Sequence, residues 1–216
     1  MTAVKALIHA NIKTLPVDLK KLADSFDIKL VSYKSCMEIY DLGDIYALSP
    51  YGFSFKENGR YICAINENLC GNTRRRFTEA HEIAHILLGH TNESVDIPTA
   101  QCEREADRLA GEMLAPLSVL HFCGVSSSAE IARLCGISMQ AAEIRLRELC
   151  RLRRQHSELM RSESGNAAQI FLPEEDSRQL HTQMLDFIAE YLTRRAAHDG
   201  YAEHLKRISG KSMTIE

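Results

Sequence analysis

The hydrophobic and polar positions of the N-terminal half follow helical and strand periods in turn. Apolar residues recur at helical spacing over residues 2–12 and again over residues 17–26. The segment DIKLVSY at residues 27–33 has the composition of a short strand. Residues 51–66 alternate on both sides of an Asn-Gly dipeptide, which accepts the positive φ of a tight turn, so they predict a β-hairpin.

Two longer helical segments follow the hairpin. The first runs from about Asn72 to Leu88; Asn72 or Thr73 can cap its start, and Gly89 can end it. The second, QCEREADRLAGEML, stops before Pro116. Its apolar positions form one stripe, which predicts a buried face made by Ala106, Leu109, Ala110 and Met113.

The rest of the chain also has helical patterns. Residues 127–154 predict two helices, which are separated at Gly136 and capped by Ser127 and Ser138. The tail from residue 174 to 216 predicts further helix. Its apolar residues fall on one side, namely Leu180, Met184, Phe187, Ile188 and Tyr191.

Composition excludes several classes of protein. The net charge of −3 gives no general attraction to nucleic acid or to an anionic membrane. Seven cysteines form no CxxC pair, which is typical of a reduced chain without a disulfide framework. The N-terminus does not resemble a signal peptide, and no run approaches the roughly 18 apolar residues of a membrane span. We therefore expect a cytoplasmic protein with no membrane partner.

The stretch FTEAHEIAHILLGH carries the most specific chemistry. His81 and His85 are four residues apart, which places both imidazoles on one face of a helix. Glu82 lies about 100° round the helix from His81, which suits a general base for a metal-activated water better than a further ligand. Chance gives HExxH in roughly 3 of 100 shuffled sequences, so two solvated histidines on a surface helix are the alternative.

Two further observations favour a zinc site. The same helix has an apolar stripe, so it is predicted to lie in the core, where its polar groups need partners; the stripe is Phe77, Ala80, Ala84 and Leu87. In the next helix, Glu103 and Asp107 are also four residues apart. Glu103 can supply the third ligand, and Asp107 can orient a histidine through its other ring nitrogen. The alternative for these acids is a solvated face.

His90 is the rival third ligand. The metzincin pattern HExxHxxGxxH requires glycine and histidine where this chain has Leu88 and Thr91. We therefore expect His90 to lie near the site and to contact the substrate or the oxyanion. The tyrosines and residues 74–76, all arginine, are alternatives for the oxyanion contact.

These two helices together resemble a known family. RFTEAHEIAHILLGH followed by EREADRLAGEMLAP is similar to the ImmA/IrrE family of zinc metallopeptidases, and the similarity covers roughly residues 10–120. The resemblance implies one zinc ion with the ligands His81, His85 and Glu103 and the catalytic base Glu82. Asp107 stands where the family often has asparagine, and Ala115 where it often has methionine. Neither position is a proposed ligand.

The resemblance also implies a fold and an activity. The expected fold class is α+β, with a zincin-like metallopeptidase core at residues 1–120, made of a small antiparallel or mixed sheet and the active-site helix. A helical region at 121–160, a linker at 161–173 and a helical tail at 174–216 follow. The implied activity is cleavage of a helix-turn-helix repressor that controls a mobile element or a stress regulon, in a bacterium or a phage.

The helix pair at 127–154 supports an alternative function. Its Ser-capped second helix and central glycine have helix-turn-helix spacing, and six arginines against three glutamates make residues 128–156 locally basic. Arg145, Arg147 and Arg151 are the candidate nucleic-acid contacts. We favour a packing unit with solvated arginines, because side chains that commonly read base edges, such as Asn, are scarce here. A regulator that binds DNA or a partner, with a structural or latent metal site, is the alternative to the peptidase.

Overall fold

The computed structural model describes residues 1–40, 42, 44–91, 99–161 and 175–198, with the backbone alone at 156–161 and 197–198. The predicted linker at 161–173 lies almost wholly outside the described residues, as do the last eighteen positions of the predicted tail, 199–216. Within the described residues the strands are β1 (Ile28–Ser32), β2 (Gly52–Glu57) and β3 (Arg60–Ile65). The helices there are α1 (Ala3–His9), α2 (Leu19–Ser25), α3 (Tyr33–Ile39), α4 (Ile45–Leu48), α5 (Asn72–Leu88), α6 (Ala100–Leu114), α7 (Leu117–Phe122), α8 (Ser128–Cys135), α9 (Met139–Arg161), α10 (Glu175–Gln183) and α11 (Leu185–His198).

The three strands form one mixed sheet in the order β1-β3-β2. β1 runs parallel to the central strand β3, and β2 runs antiparallel to it. The predicted hairpin is confirmed: Asn58 and Gly59 have φ values of 50° and 78° and connect β2 to β3. Together with the helices, this sheet confirms the expected α+β class.

The two faces of the sheet pack into separate clusters because side chains alternate along each strand. Ile62 and Ala64 of β3 pack with the phenylalanines of β2 and with Tyr33 of α3. Cys63 and Ile65 point to the opposite face and belong to the larger core. That core also contains apolar side chains of α1, α2, α5 and α6, so the second face of the sheet carries α5.

α5 has the predicted bounds but not the predicted cap. Its N-cap is Gly71, which has no side chain to accept a hydrogen bond, whereas Asn72 is already the first helical residue. Gly89 ends the helix as expected, with φ of 76° in the left-handed region. The predicted apolar stripe is wrong at Phe77, which is 38% exposed. The buried face of the helix includes Ile83 instead.

The C-terminal helices confirm most of the sequence pattern. Ser127 caps α8 through the amide of Glu130, Gly136 ends α8 with φ of 65°, and the Ser138 hydroxyl accepts from the amide of Ala141. α9 extends to Arg161, beyond the predicted end. The identification of α8 and α9 as a helix-turn-helix, like the domain boundaries near 120 and 160, stays a prediction.

The described part of the tail packs on the N-terminal helix. The Gln183 side-chain amide donates to the carbonyl oxygens of Leu7 at 3.1 Å and Ile12 at 2.7 Å. The predicted apolar side is buried or partly buried in the larger core, as seen for Leu180, Met184, Phe187, Ile188 and Tyr191. This apolar side of α10 and α11 is therefore packed inside the protein. Over the described ranges, no helix is both long enough and apolar enough to cross a membrane.

Gly52 allows β2 to approach α5 closely. A Cβ atom built on Gly52 would lie 2.8 Å from Cγ2 of Thr78 and 3.1 Å from the carbonyl oxygen of Ala64. These distances are shorter than a carbon atom tolerates, so only glycine fits here without a shift of β2 or α5. The close approach holds β2 beside the turn of α5 that precedes His81.

We predict that Gly52→Ala lowers the free energy of unfolding by about 1–3 kcal/mol, because the added methyl group overpacks this contact. Urea denaturation measures the change. Thr78→Ser removes Cγ2 and keeps the hydroxyl that donates to the Arg74 carbonyl, so the double variant should recover part of the loss. If the change in unfolding free energy of the double variant equals the sum of the two single-variant changes to within about 0.5 kcal/mol, the contact with Thr78 is contradicted.

Candidate metal centre

α5 brings two imidazoles together on the side of the helix that faces α6. His81 and His85 are one turn apart, and their Nε2 atoms lie 3.0 Å from each other. His85 is 3% exposed. Burial, with smaller contributions from the neighbouring His81 and His90, lowers the pKa of His85 from 6.5 to about 4. The His85 ring is therefore neutral at physiological pH and keeps a lone pair for a metal ion.

α6 supplies a carboxylate to the same point. Glu103 places Oε2 3.2 Å from Nε2 of His81 and Oε1 3.5 Å from Nε2 of His85. The three donor atoms all lie within 4.8 Å of one another, close enough to bind one metal ion. His85 and Glu103 are eighteen residues apart in the sequence, and the packing of α5 on α6 brings them together.

Asp107 lies one turn further along α6 and approaches the other nitrogen of His81. Its Oδ1 atom is 2.9 Å from Nδ1 of His81. Nδ1 is buried, and its geometry gives it no well-formed hydrogen bond within the described residues. Asp107 therefore lies where a carboxylate can support a metal-ligating histidine through its other ring nitrogen.

Glu82 is buried beside the two histidines, at 7% exposure. Burial raises the pKa of Glu82 from 4.5 to about 8; a hydrogen bond from Ser54 acts in the opposite direction, and the charge of Glu103 raises the pKa further. The Ser54 and Thr91 hydroxyl oxygens are 3.0 Å apart. Thr91 therefore contacts the side chain of β2 that lowers the pKa of Glu82. A buried carboxyl with a raised pKa beside potential metal ligands is characteristic of a proton-transfer group.

Ser54 and Thr91 do not follow from the motif. A signal for Ser54 was nevertheless present, because Ser54 alternates with Phe53 and Phe55 and is the polar residue on the opposite face of β2. Thr91 gave no such signal, since its position depends on how the chain leaves α5.

His90 has polar neighbours within the protein. Its Nδ1 atom is 3.2 Å from Nδ1 of His85, and its Nε2 atom is 3.2 Å from Oε2 of Glu105. Both ring nitrogens therefore have partners inside the protein. The expected contact of His90 with substrate or oxyanion stays a prediction.

The three arginines at the start of α5 do not converge on the site. Arg75 pairs with Glu79 at 3.0 Å, and Arg76 donates to the carbonyl of Val17 at 2.9 Å. Arg74 stacks over the ring of Tyr51, 5.4 Å from its centroid. Arg75 and Arg76 are thus held by partners within the protein.

The candidate nucleic-acid contacts on α9 separate into two kinds. Arg145 is 8% exposed, and its guanidinium donates to the carbonyl oxygen of Ala115 and pairs with Glu148. Arg145 is thus a buried link between α9 and the end of α6, and its contact with nucleic acid stays a prediction. Arg147 and Arg151 are exposed.

The residues of the cluster fit a divalent metal ion. Two neutral imidazoles and one carboxylate are the donor set that zinc takes in catalytic sites. The two Nε2 atoms face each other at 3.0 Å, so both rings can direct a lone pair at one shared ion. The approach of Asp107 to Nδ1 of His81 agrees with the carboxylate–histidine pairs that surround metals in proteins.

The family match of the segment that holds this candidate metal site supports a metallopeptidase type of function. Residues 45–147 match the model of peptidase family M78, described as the IrrE N-terminal-like domain. The matched segment contains β2, β3, α5, α6 and the whole cluster. Residues 45–147 therefore carry an IrrE N-terminal-like domain, and over these residues the resemblance to the ImmA/IrrE family is confirmed. No curated protein matches the chain.

We predict that Glu103→Ala weakens zinc binding more than the roughly 100-fold that loss of an outer partner can cost, because it removes a donor atom. Calorimetric titration of zinc into metal-free protein measures the affinity. Glu112→Ala is the matched control, since Glu112 lies on the same helix and pairs only with Arg108 at 3.5 Å in the described ion pairs. Equal affinities for the two variants would exclude Glu103 as a ligand.

Proposed function

We propose that the protein is a zinc-dependent endopeptidase with a zincin-like core, and that it cleaves a helix-turn-helix transcriptional repressor. The observation that carries this proposal is the convergence of three donor atoms beside a buried glutamate. His81, His85 and Glu103 would hold the ion. The repressor as substrate comes from the family resemblance.

Zinc, when bound, supplies Lewis acidity that polarises a peptide carbonyl and makes water acidic enough to attack near pH 7. Glu82 provides the proton transfers of the hydrolysis. Its carboxylate accepts a proton from the attacking water as the carbon–oxygen bond forms. The same proton then passes to the leaving amine nitrogen as the carbon–nitrogen bond breaks, which returns Glu82 to its starting form.

The surroundings of Glu82 suit this role. Burial raises the pKa of Glu82 to about 8, and a nearby dication would favour the ionised form. The neighbouring hydroxyl of Ser54 favours the ionised form of the carboxyl and lowers its pKa. A general base whose pKa lies near the working pH transfers protons efficiently in both directions.

The edge of the sheet offers a place for the substrate. β2 pairs with β3 on one side and has no strand partner on its other side within the described sheet. An extended peptide that added to this edge would run past Ser54, which contacts the catalytic base. We propose that the repressor presents its scissile segment in this extended form.

The alternative functions have less support. Arg145 is buried, which leaves Arg147 and Arg151 as the exposed arginines among the three candidate DNA contacts. The apolar side of α10 and α11 is already packed in the core. A structural zinc site would also use four protein ligands and would not place a buried carboxyl beside them.

We predict that Glu82→Gln keeps one bound zinc per chain but reduces cleavage of the repressor encoded beside the gene by about 10²–10⁴-fold, because glutamine cannot accept the proton. Mass spectrometry of the products measures cleavage, and elemental analysis measures zinc. Glu79→Gln changes a partly buried glutamate one turn earlier on α5 and should leave cleavage intact. Wild-type rates in Glu82→Gln would contradict the assignment of the base.

A further inference from the structure

We propose that His90 and Glu105 are positioning residues, which hold the His85 ring in the one tautomer that presents Nε2 to the metal. The inference rests on the proposed metal site, because it assigns a reason for the orientation of one of its ligands. It assigns His90 a role that needs no contact with substrate. It also assigns a role to Glu105, an acid that the HExxH motif does not single out.

The proton positions follow from the geometry. Nε2 of His85 faces Nε2 of His81 and Oε1 of Glu103, so it must carry a lone pair to bind an ion. A neutral imidazole then has its proton on Nδ1. In His85 that atom lies 3.2 Å from Nδ1 of His90, which must act as the acceptor.

We call the contacts from His85 to His90 and from His90 to Glu105 the relay. The proton position on His90 follows from the geometry in the same way. A His90 ring that accepts at Nδ1 carries its own proton at Nε2. This atom lies 3.2 Å from Oε2 of Glu105, and a carboxylate only accepts. The two contacts therefore share one consistent arrangement, in which His85 donates to His90 and His90 donates to Glu105.

The end of α5 holds His90 against His85. The amide of Gly89 donates to the carbonyl of Ile86 at 3.0 Å, and the amide of His90 donates to the carbonyl of His85 at 2.9 Å. These are the two hydrogen bonds of a Schellman motif, which needs the left-handed glycine. His90 thus contacts His85 through both its backbone and its ring.

Glu105 is itself held on α6. The side-chain amide of Gln101 donates to Oε1 of Glu105, which leaves Oε2 for His90. Gln101 in turn accepts from Arg104 at 2.8 Å. α6 therefore supplies the candidate ligand Glu103 and one carboxylate for each histidine, since Asp107 approaches His81 directly and Glu105 reaches His85 through His90.

Three variants of the full chain test the relay. His90→Phe keeps a ring of similar size but has no acceptor, whereas His90→Asn can place an oxygen where Nδ1 stood. Glu105→Ala removes the last acceptor and leaves His90 in place. Glu112→Ala on the same helix is the control, since Glu112 takes no part in these contacts.

The measurements do not depend on cleavage. Competition with a chelator gives the zinc affinity, and nitrogen-15 NMR of labelled histidines shows which nitrogen of His85 carries the proton in the metal-free protein. We expect His90→Phe to bind zinc about 10–100-fold more weakly and to lose the Nδ1–H form of His85. His90→Asn should keep both, and Glu105→Ala should shift both in the direction of His90→Phe.

The outcomes separate this inference from the proposed function. Unchanged zinc affinity and an unchanged His85 tautomer in His90→Phe would overturn the relay. If His90→Phe does not fold, as judged by circular dichroism, the same null result in Glu105→Ala would overturn it. Failure of the wild type to cleave a repressor, with the expected changes in affinity and tautomer, would count against the substrate and leave the relay supported.

Discussion

The packing of α5 on α6 decides whether the candidate metal centre exists. α5 carries the two histidines and the buried glutamate, while α6 carries the third donor and the supporting acids. Neither helix has a complete set, since a catalytic zinc site takes three protein ligands. The apolar residues of both helices, such as Ile83 and Ala110, hold them together in one core. The apolar contact therefore positions the polar site.

This arrangement puts polar groups where burial is costly. Glu82 and His85 are both almost fully buried, and unpaired groups of this kind would destabilise the fold. Each has a polar neighbour: the Ser54 hydroxyl favours the ionised form of Glu82, and His90 contacts His85. The polar contacts thus offset the free-energy cost of burying these side chains. They also orient the side chains before a metal or a substrate binds.

The sequence predicted the parts of the site that depend on helical period. His81, His85, Glu103 and Asp107 lie at spacings of four, and a regular helix brings such pairs to one face whatever surrounds them. The hairpin also followed from its Asn-Gly turn.

Other features depend on tertiary contacts, which the spacing of residues in the sequence does not contain. Phe77 fits the apolar period of α5, yet it is 38% exposed, because a period does not tell which part of a stripe meets the core. The role of His90 needed the geometry of the turn at Gly89, and the burial of Arg145 needed the position of the Ala115 carbonyl. Sequence spacing contains neither.

The origin of the donors in two helices has a consequence for the whole fold. An ion held by His81, His85 and Glu103 would act as a cross-link, so occupancy and docking of α6 would be thermodynamically linked. At a free zinc concentration of 100 times the dissociation constant, such linkage adds about 2.7 kcal/mol to the stability of the native state. Through that linkage, the supply of metal in the cell would influence how long the protein survives as well as whether it is active.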